Sequence, residues 1–370
     1  MDNGPIHQDH SRASDVAGSP RHGDALCYVC PLCKGPLTVE VSRDASDIDY
    51  ACATCAARYP VVMDIPDFRV FPDPWIGLQE DRAKARRLAE RAGALDFAGL
   101  VDWYWRLTPN TPTELARRHT RHALSGVERG HATLAEVARL AGKMSAETPL
   151  LEVGCGTGGL LVAAAADVDR VVGIDIALRW LIVARKRLAE AGRDNVHLVC
   201  CCAEALPFPD GTFGLVVAAN VIEHSTRQEP LVREALRVVR PGGVAFFSTP
   251  NRFALAPEPH VHVWGVGLLP RRLMPTWVRM VRGVPYRHHR LLSVFELRRV
   301  LKRAGAERYR IVLPRITSPE LTGRGRWVRR GAAFYGALLG VPAARWALYL
   351  WGPAFHAVAW RRPTEGKRTG

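Results

Sequence analysis

Residues 150–159, with the sequence LLEVGCGTGG, join an apolar run directly to a glycine-rich turn. The run is apolar apart from Glu152, and the Ala-rich residues 160–166 after the turn predict a helix. Glycines allow the backbone of such a turn to take positive φ, and the free N–H groups at a helix start favour a carboxylate or phosphate. The stretch therefore predicts a strand, a tight loop and a helix N-terminus arranged around a ligand.

A second apolar run, residues 171–174, ends in Asp175. A carboxylate at a strand tip is placed to accept hydrogen bonds from both hydroxyls of a ribose. Together, the glycine turn and this acid indicate a ribose-containing ligand far more specifically than either feature does alone. The glycine spacing disfavours a nicotinamide or flavin nucleotide, because it is not Gly-x-Gly-x-x-Gly.

Three further segments follow in a characteristic order. They are CAEALPFPDGTF at 202–213, the apolar run 215–219 with the NVIEH that ends at His224, and RVVRPGG at 237–243 with the strand and TPNR that end at Arg252. With these segments, residues 146–315 resemble the class I S-adenosylmethionine-dependent methyltransferases, in the broad group that also contains the ubiquinone-type O-methyltransferases. The resemblance implies an enzyme that takes its methyl group from S-adenosylmethionine.

The resemblance also implies roles for individual residues. The glycines of the turn would line the methionine part of the cofactor, Asp175 would hold the ribose, and Ala203 with Glu204 would flank the adenine. The full implied set is Glu152, Gly154, Gly156, Gly158, Asp175, Ile176, Ala203, Glu204 and Asn220. Two positions depart from the family pattern, because Gly214 and Cys202 stand where an Asp is common. Glu204 is the acid available to substitute at the second.

The alternation of patterns predicts an α/β fold, a Rossmann-like seven-stranded methyltransferase sheet with a small N-terminal zinc ribbon and helical insertions. Strands are expected at 149–153, 170–175, 196–201, 213–219, 243–248, 309–313 and 355–360, and helices at 158–166, 177–191, 228–239 and 294–304. The predicted organisation is a tail at 1–24, the ribbon at 25–72, a helical linker or cap at 73–145, the methyltransferase domain at 146–363 with insertions at 252–293 and 317–353, and a tail at 364–370.

Two Cys-x-x-Cys pairs predict the zinc site. Four thiolates can hold Zn²⁺ tetrahedrally, and the ligands we choose are Cys30, Cys33, Cys52 and Cys55. A module of this size needs such a cross-link to be stable. The segment around them resembles the zinc ribbons called Trm112-like. Four thiolates close the coordination shell, so the zinc is expected to be structural. One alternative stays open, because Cys27 has the right spacing to replace Cys30 in the first pair.

Composition constrains the compartment and the partners. Nine cysteines do not form a secreted disulfide pattern, and the N-terminus does not resemble a signal peptide, so we expect a cytoplasmic protein. The formal net charge of +15 points to nucleic acid or an anionic membrane. The basic residues are nearly all Arg, however, which a G+C-rich genome would also produce.

Methyl transfer to an oxygen usually needs a base to take the proton of the acceptor. His260 and His262 follow the fifth strand and are our leading candidates, and His224, which follows the fourth, is next. For His224 the alternative is that it only orders the turn. His288 and His289 lie in a strongly basic segment, so we expect them at the surface or at a phosphate.

The two insertions indicate the acceptor. Residues 271–303 carry ten Lys or Arg against one acid, Glu296, which favours an anionic small-molecule or lipid-linked acceptor beside the cofactor, or RNA. Residues 317–353 hold two short apolar, aromatic segments that are too short to cross a bilayer. They would suit a hairpin on the inner membrane face, or equally a contact with the enzyme itself or a second subunit.

Three functions remain open from the sequence. The first is an O-methyltransferase of a small-molecule, glycan or lipid-linked acceptor, and the second is an RNA methyltransferase that grips nucleic acid with the ribbon and its basic surface. The Asn/Asp-Pro-Pro-aromatic motif for exocyclic base nitrogens is missing from 218–224, which disfavours part of the second class. A non-enzymatic docking platform is the third, and the intact cofactor loop argues against it.

Overall fold

The computed structural model describes residues 26–41, 48–109, 111–316, 321 and 325–362. The predicted tails at 1–24 and 364–370 lie outside the described residues. The strands are β1 (Leu37–Val41), β2 (Ile48–Cys52), β3 (Arg58–Val62), β4 (Ile65–Pro66), β5 (Leu150–Val153), β6 (Val171–Asp175), β7 (Val196–Cys200), β8 (Phe213–Ala219), β9 (Val239–Pro250), β10 (Arg308–Val312) and β11 (Ala354–Trp360).

The α-helices of the described residues alternate with these strands. They are α1 (Leu78–Ala92), α2 (Phe97–Arg106), α3 (Thr113–Leu124), α4 (Gly126–Ala141), α5 (Gly159–Ala164), α6 (Leu178–Glu190), α7 (Gln228–Val238), α8 (Met274–Arg282), α9 (Val294–Arg303), α10 (Arg326–Leu339) and α11 (Pro342–Trp351). Short 3₁₀ turns cover Ile222–His224 and Val266–Leu268.

The main sheet confirms the predicted seven-stranded Rossmann-like architecture. Its strand order is β10-β11-β9-β8-β5-β6-β7, and the five strands from β9 to β7 are parallel. β11 pairs antiparallel with both β9 and β10, so β11 runs against the parallel strands and β10 runs in their direction. The parallel strands are apolar on both faces because helices cover both sides of the sheet. Their carboxyl ends therefore meet at one edge, where ligands bind in this architecture.

One strand extends well beyond its predicted bounds, whereas the other six strands of the main sheet match theirs to within one residue. β9 runs Val239–Pro250, whereas the sequence predicted a strand only at 243–248. The register against β8 shifts, so that Phe213 pairs with Val239 but Leu215 pairs with Val244. Residues 240–243, with the sequence RPGG, thus form an irregularity within the longer strand, which the local glycines permit.

The N-terminal module is a four-stranded antiparallel sheet in the order β1-β2-β3-β4. It docks on the free edge of β7, because the Phe68 N–H donates to Cys200 O at 2.7 Å and the Val29 N–H donates to Pro207 O at 3.0 Å. The Phe68 side chain is completely buried in a core shared with the main sheet. The two sheets therefore share apolar packing as well as backbone hydrogen bonds.

Helices α1 to α4 connect the two sheets. Asp81 of α1 is fully buried, and its carboxylate accepts from Arg69 Nη1 at 2.6 Å and from Arg179 Nη1 at 2.5 Å. The Leu178 N–H at the start of α6 donates to the same carboxylate at 3.0 Å. A buried ionic network thus joins the segment after the small sheet to the helix that follows β6.

The two insertions hold helices of their own. Residues 252–293 contain α8, and residues 317–353 contain α10 and α11. The last two helices pack beside β10, where the Tyr335 hydroxyl donates to Pro314 O at 2.8 Å and the Tyr349 hydroxyl donates to Ile311 O at 3.1 Å. In the described part of the chain, every helix is too short or too polar to cross a bilayer.

Candidate functional site

The glycine turn after β5 has the geometry of a ligand-binding loop. Gly154, Gly156 and Gly158 all have positive φ, at 72°, 49° and 73°. A Cβ at Gly154 would lie 2.5 Å from Cγ2 of Val221, so only glycine allows the loop after β8 to approach this closely. In front of Gly156, by contrast, the described residues leave open space. The backbone at Gly156 is therefore accessible to a ligand.

Asp175 stands at the tip of β6 beside that loop. Its carboxylate accepts from the Gly156 N–H at 2.9 Å and from the Ala177 N–H at 2.8 Å. Burial raises the pKa of Asp175 to about 6, although these two backbone amides oppose the shift. Glu152 is buried nearby, and burial followed by the charge of Asp175 raises its pKa well above the ordinary value. The loop and both predicted acids are thus brought together.

The remaining predicted cofactor residues surround this loop. The Asn220 N–H donates to Ser248 O at 2.9 Å with a φ of 56°, and Ile176 O accepts from Arg69 Nη1 at 3.1 Å. Glu204 Oε1 accepts from the Ser225 hydroxyl, and Ala203 is half-buried beside it. Their contacts to a cofactor stay predictions.

The two departures from the family pattern have packing reasons. A Cβ at Gly214 would lie 2.3 Å from Cγ2 of Thr148, which leaves no room for an Asp at this position. Cys202 is completely buried, with its Sγ 3.5 Å from Phe71 O of the segment that follows the small sheet. A carboxylate in the place of Cys202 would be buried against that carbonyl. The docked N-terminal module therefore accounts for the second departure.

Three histidines converge beyond the carboxyl ends of the central strands. They are His224 in the turn after β8, His260 in the loop after β9, and His289 in the loop before α9. One ring nitrogen from each lies within 4.8 Å of those of the other two. The ring centroids of His260 and His289 are 4.3 Å apart, and those of His224 and His260 are 4.7 Å apart. We call these three residues the histidine cluster.

The carboxylate of Glu258 holds His260. Glu258 Oε1 lies 2.5 Å from His260 Nδ1, and Oε2 accepts from the N–H groups of His260 and Val261 at 2.8 Å each. Burial disfavours the charge on His260, but the hydrogen bond and charge of Glu258 outweigh it and raise the pKa of His260. An ionised carboxylate can only accept at Nδ1, so in the neutral form of His260 the lone pair lies on Nε2.

The other two members are held neutral. Burial, followed by the charges of His260 and His289, lowers the pKa of His224 to about 3. Burial and then the charge of His260 lower the pKa of His289 to about 4. Beneath them Glu223 is fully buried, and burial raises its pKa to about 7 although the charge of His260 opposes the shift. Two neutral imidazoles and one basic imidazole thus share this space.

The expectation of a surface position for His289 is wrong, whereas its alternative, a contact with a phosphate, stays a prediction. Its ring is half-buried, stacks on Tyr286 at a centroid distance of 5.4 Å, and belongs to the cluster. No periodic pattern indicates this position, since His289 lies far along the chain from His224 and meets it only through folding. His262, one of the predicted bases, is not a member of the cluster.

A cavity of about 360 Å³ opens beside the cluster. It is lined by Arg271, Met274, Pro275, Tyr286, His289 and Arg290. Arg271 also forms an ion pair with Glu296 at 2.6 Å, which fixes the guanidinium at the cavity wall. The cavity therefore combines an apolar wall, an aromatic ring and cationic groups next to the imidazoles.

The four predicted zinc ligands lie together in the small sheet. The Sγ atoms of Cys33 and Cys52 are 3.5 Å apart, and those of Cys30 and Cys55 are 3.6 Å apart. Four sulfurs at Zn–S distances of about 2.3 Å in a tetrahedron would be separated by about 3.8 Å, so the cluster fits the ion closely. Cys27 is exposed and is not a member of this cluster.

Comparison with known proteins agrees with this geometry. The family described as Methyltransferase domain (Methyltransf_11) matches residues 151–247. The chain is 31% identical over 159 residues to a ubiquinone biosynthesis O-methyltransferase of Idiomarina loihiensis, a match that covers 43% of this chain and 61% of that protein.

Two further relatives give shorter matches. A ubiquinone biosynthesis O-methyltransferase of Thiobacillus denitrificans is 38% identical over 32% of this chain and 48% of its own length. A demethylmenaquinone methyltransferase of Shouchella clausii is 35% identical over 27% of this chain and 44% of its own. The chain thus spans about half the length of the curated relatives it matches. The family match at 151–247 includes the glycine turn and the strands around it. This chain contains a class I S-adenosylmethionine-dependent methyltransferase domain.

Proposed function

We propose that the chain is an O-methyltransferase that transfers the methyl group of S-adenosylmethionine to a hydroxyl of a small, anionic acceptor. The observation that carries the proposal is the histidine cluster, which lies beyond β8 and β9 on the edge of the sheet that also carries the glycine turn and Asp175. An acceptor bound at the cluster would share this edge of the sheet with the cofactor, as the in-line transfer of a methyl group requires.

His260 is the best-held base of the cluster. Its Nδ1 is fixed by Glu258, so that Nε2 is oriented to take the proton of an acceptor hydroxyl. In that reaction the O–H bond breaks, the acceptor oxygen bonds to the methyl carbon, and the electron pair of the S–C bond stays on the cofactor sulfur. His224 is the second candidate, and His262 stays a candidate without support from the cluster.

The cofactor contacts in this proposal are those of the predicted set. Glu152, Gly154, Gly156 and Gly158 would line the methionine part, and Asp175 and Ile176 would hold the ribose. Ala203, Glu204 and Asn220 would complete the site on the adenine side and next to the acceptor. The open space before Gly156 and the buried carboxylate of Asp175 support this assignment.

The acceptor class follows from the cavity and from the relatives. The cavity places Arg271 and Arg290 beside an aromatic and apolar wall, which suits a ring-bearing molecule with a negatively charged substituent. The names of the relatives point to quinone-type acceptors in those proteins. A phenol or quinol that carries an acidic or lipid-linked group is the acceptor we expect here, with a glycan as the next choice.

We infer a lipid surface as a further partner. Trp327 of α10 and Trp346 of α11 expose 67% and 79% of their surface, although the same helices bury Tyr335 and Leu348 against the protein. Arg326, which precedes Trp327, starts α10 at the same end. Aromatic rings and basic side chains on short surface helices favour the headgroup region of an anionic bilayer.

We also propose that the four-cysteine cluster binds a structural zinc ion. The near-tetrahedral spacing of Cys30, Cys33, Cys52 and Cys55 supports it, as does the Tyr59 hydroxyl 3.3 Å from Cys30 Sγ. Four thiolates leave no position for a substrate, so this ion would support the fold rather than the reaction.

A labelling experiment tests the function. Purified protein is incubated with S-adenosylmethionine labelled in the methyl group and, in parallel, with lipid extract, small-metabolite extract and total RNA. We expect label in the organic or small-molecule fraction, in a product that resists the mild base that cleaves methyl esters. Label in RNA alone would overturn the proposal and favour the nucleic-acid function.

A further inference from the structure

The histidine cluster has the composition of a metal site. His224, His260 and His289 come from three separate segments, yet each offers a ring nitrogen within 4.8 Å of the other two. We propose that these three imidazoles bind one divalent transition-metal ion at the acceptor site, distinct from the zinc of the four-cysteine cluster.

The outer contacts of two imidazoles are those of metal-binding histidines. Such a histidine typically donates its second N–H to a carboxylate or a backbone carbonyl, which fixes the ring and the tautomer. His260 Nδ1 has the carboxylate of Glu258 at 2.5 Å, and His289 Nδ1 has Arg287 O at 2.7 Å. Both rings therefore keep the Nε2 lone pair for the centre of the cluster.

A buried acid beneath the cluster gives an independent reason for a cation. Glu223 is completely buried, and its Oε2 accepts from the Thr249 hydroxyl at 3.0 Å. Its Oε1 has no hydrogen-bond partner among the described residues. A buried carboxylate oxygen without a partner is costly, and a nearby cation offsets that cost.

The ligand set selects the ion. Imidazole nitrogens suit Zn²⁺, Co²⁺, Ni²⁺ and Fe²⁺, whereas Mg²⁺ and Ca²⁺ prefer oxygen. Three histidines are also the ligand number of catalytic zinc sites, because one coordination position stays open for water or substrate. His289 borders the cavity of about 360 Å³, so the open position has access to it.

The role of the ion rests on the proposed function, but its binding does not. An acceptor hydroxyl in the open position loses its proton to water because the ion lowers the pKa of that hydroxyl. The oxygen then attacks the sulfonium methyl group as before, and the S–C electron pair remains on sulfur. In the metal-bound protein His260 is a ligand, and the ion replaces it in promoting proton loss.

Cobalt binding tests the site without any acceptor. Co²⁺ is titrated into protein whose four-cysteine site is filled with zinc, and the visible spectrum is recorded. We expect one equivalent to bind with d–d bands and without the thiolate charge-transfer band that cysteine ligation produces. His289→Ala and His224→Ala should each weaken binding by about 100-fold or more, since loss of an outer partner alone costs 10–100-fold.

His288→Ala is the matched control, because His288 is adjacent in sequence and is not a member of the cluster. It should bind Co²⁺ like the wild type, and cofactor affinity measured by calorimetry identifies any variant that is misfolded. The metal site would be overturned if the wild type did not bind Co²⁺, or if both His289→Ala and His224→Ala bound Co²⁺ as tightly as the wild type. Methylation that continues in metal-free protein would support the proposed function with His260 as the base and would overturn the role of the ion. Cobalt binding without methylation of any acceptor would support the metal site and count against the proposed function.

Discussion

Glu258 Oε1 lies 2.5 Å from Nδ1 of His260, and the other oxygen of this carboxylate accepts two backbone N–H groups of the same loop. The carboxylate thus orders the loop and fixes the imidazole in one tautomer. Every role that we give to His260, as base or as ligand, requires the lone pair on Nε2 that this contact secures.

Glu258→Gln should lower kcat by about 10–100-fold, the usual cost of losing an orienting partner. Glutamine retains one oxygen for the backbone amides and turns its NH₂ group toward Nδ1, which favours the tautomer with the proton on Nε2. Glu229→Gln, on the exposed face of α7, is the matched control. Unchanged turnover in Glu258→Gln would show that the tautomer of His260 is irrelevant to the reaction.

Asp175→Asn should weaken cofactor binding at neutral pH and make the affinity independent of pH. In the wild type, burial raises the pKa of Asp175 to about 6, with Asp73 adding to the shift and the amides of Ala177 and Gly156 and the charge of Arg179 opposing it. The ribose hydroxyls need the ionised form, so the affinity should fall about tenfold per pH unit below 6. Calorimetry at pH 5 and pH 8 in two buffers measures the cofactor affinity. The same change of affinity with pH in both proteins would contradict the prediction.

The same substitution should stabilise the unliganded fold at neutral pH. The folded pKa of Asp175 lies above the ordinary value of 3.8, so folding is favoured below that value and loses this contribution as the pH rises through about 6. An uncharged Asn avoids that cost, but its NH₂ group replaces one of the two oxygens that accept from the Gly156 and Ala177 amides, so we expect a net gain of only about 0–1 kcal/mol. A thermal melt at pH 7.5 without cofactor checks it, and a lower melting temperature than that of the wild type would be the contrary result.

Cys52→Ser should remove one zinc equivalent per chain and destabilise both sheets together. The module shares its core with the main sheet through Phe68 and bonds to the edge strand at Cys200. We expect the melting temperature to fall by about 4 °C or more, which corresponds to about 2 kcal/mol or more for a domain of this size. Zinc analysis and a cofactor-monitored melt provide the measurement. Cys27→Ser is the control and should change neither quantity.

Replacing both Trp327 and Trp346 with alanine should reduce binding to vesicles that contain phosphatidylglycerol by about tenfold, because the aromatic side chains supply the apolar contact with the headgroup region. Phe295→Ala removes a similarly exposed ring from α9, at 63% exposure, and should leave binding unchanged. Co-sedimentation at low and moderate salt measures both variants. Equal binding by the double variant and the wild type would exclude these helices as the contact.

The order of the motifs was enough to predict the domain. Local patterns in 150–175 and 213–248 predicted the strands, the glycine turn and the acid at the tip of β6, because each depends on a few consecutive residues. The seven-stranded sheet followed from alternation, and the structure confirms it. The Cys-x-x-Cys spacing likewise predicted the grouping of the four thiols, because two short turns suffice to bring them together.

The sequence by itself therefore determined the fold class, the glycine turn and the four-cysteine cluster. Only the tertiary structure decided which histidines meet. His289 joins His224 and His260 because the loop before α9 folds back over the ends of β8 and β9, and no periodicity along the chain encodes such a return. Tertiary packing also explained Gly214 and Cys202, whose neighbours Thr148 and Phe71 come from distant segments. Features such as a turn or a Cys-x-x-Cys pair depend on consecutive residues and can be predicted locally. A site formed by separate loops depends on how the whole sheet brings those loops together.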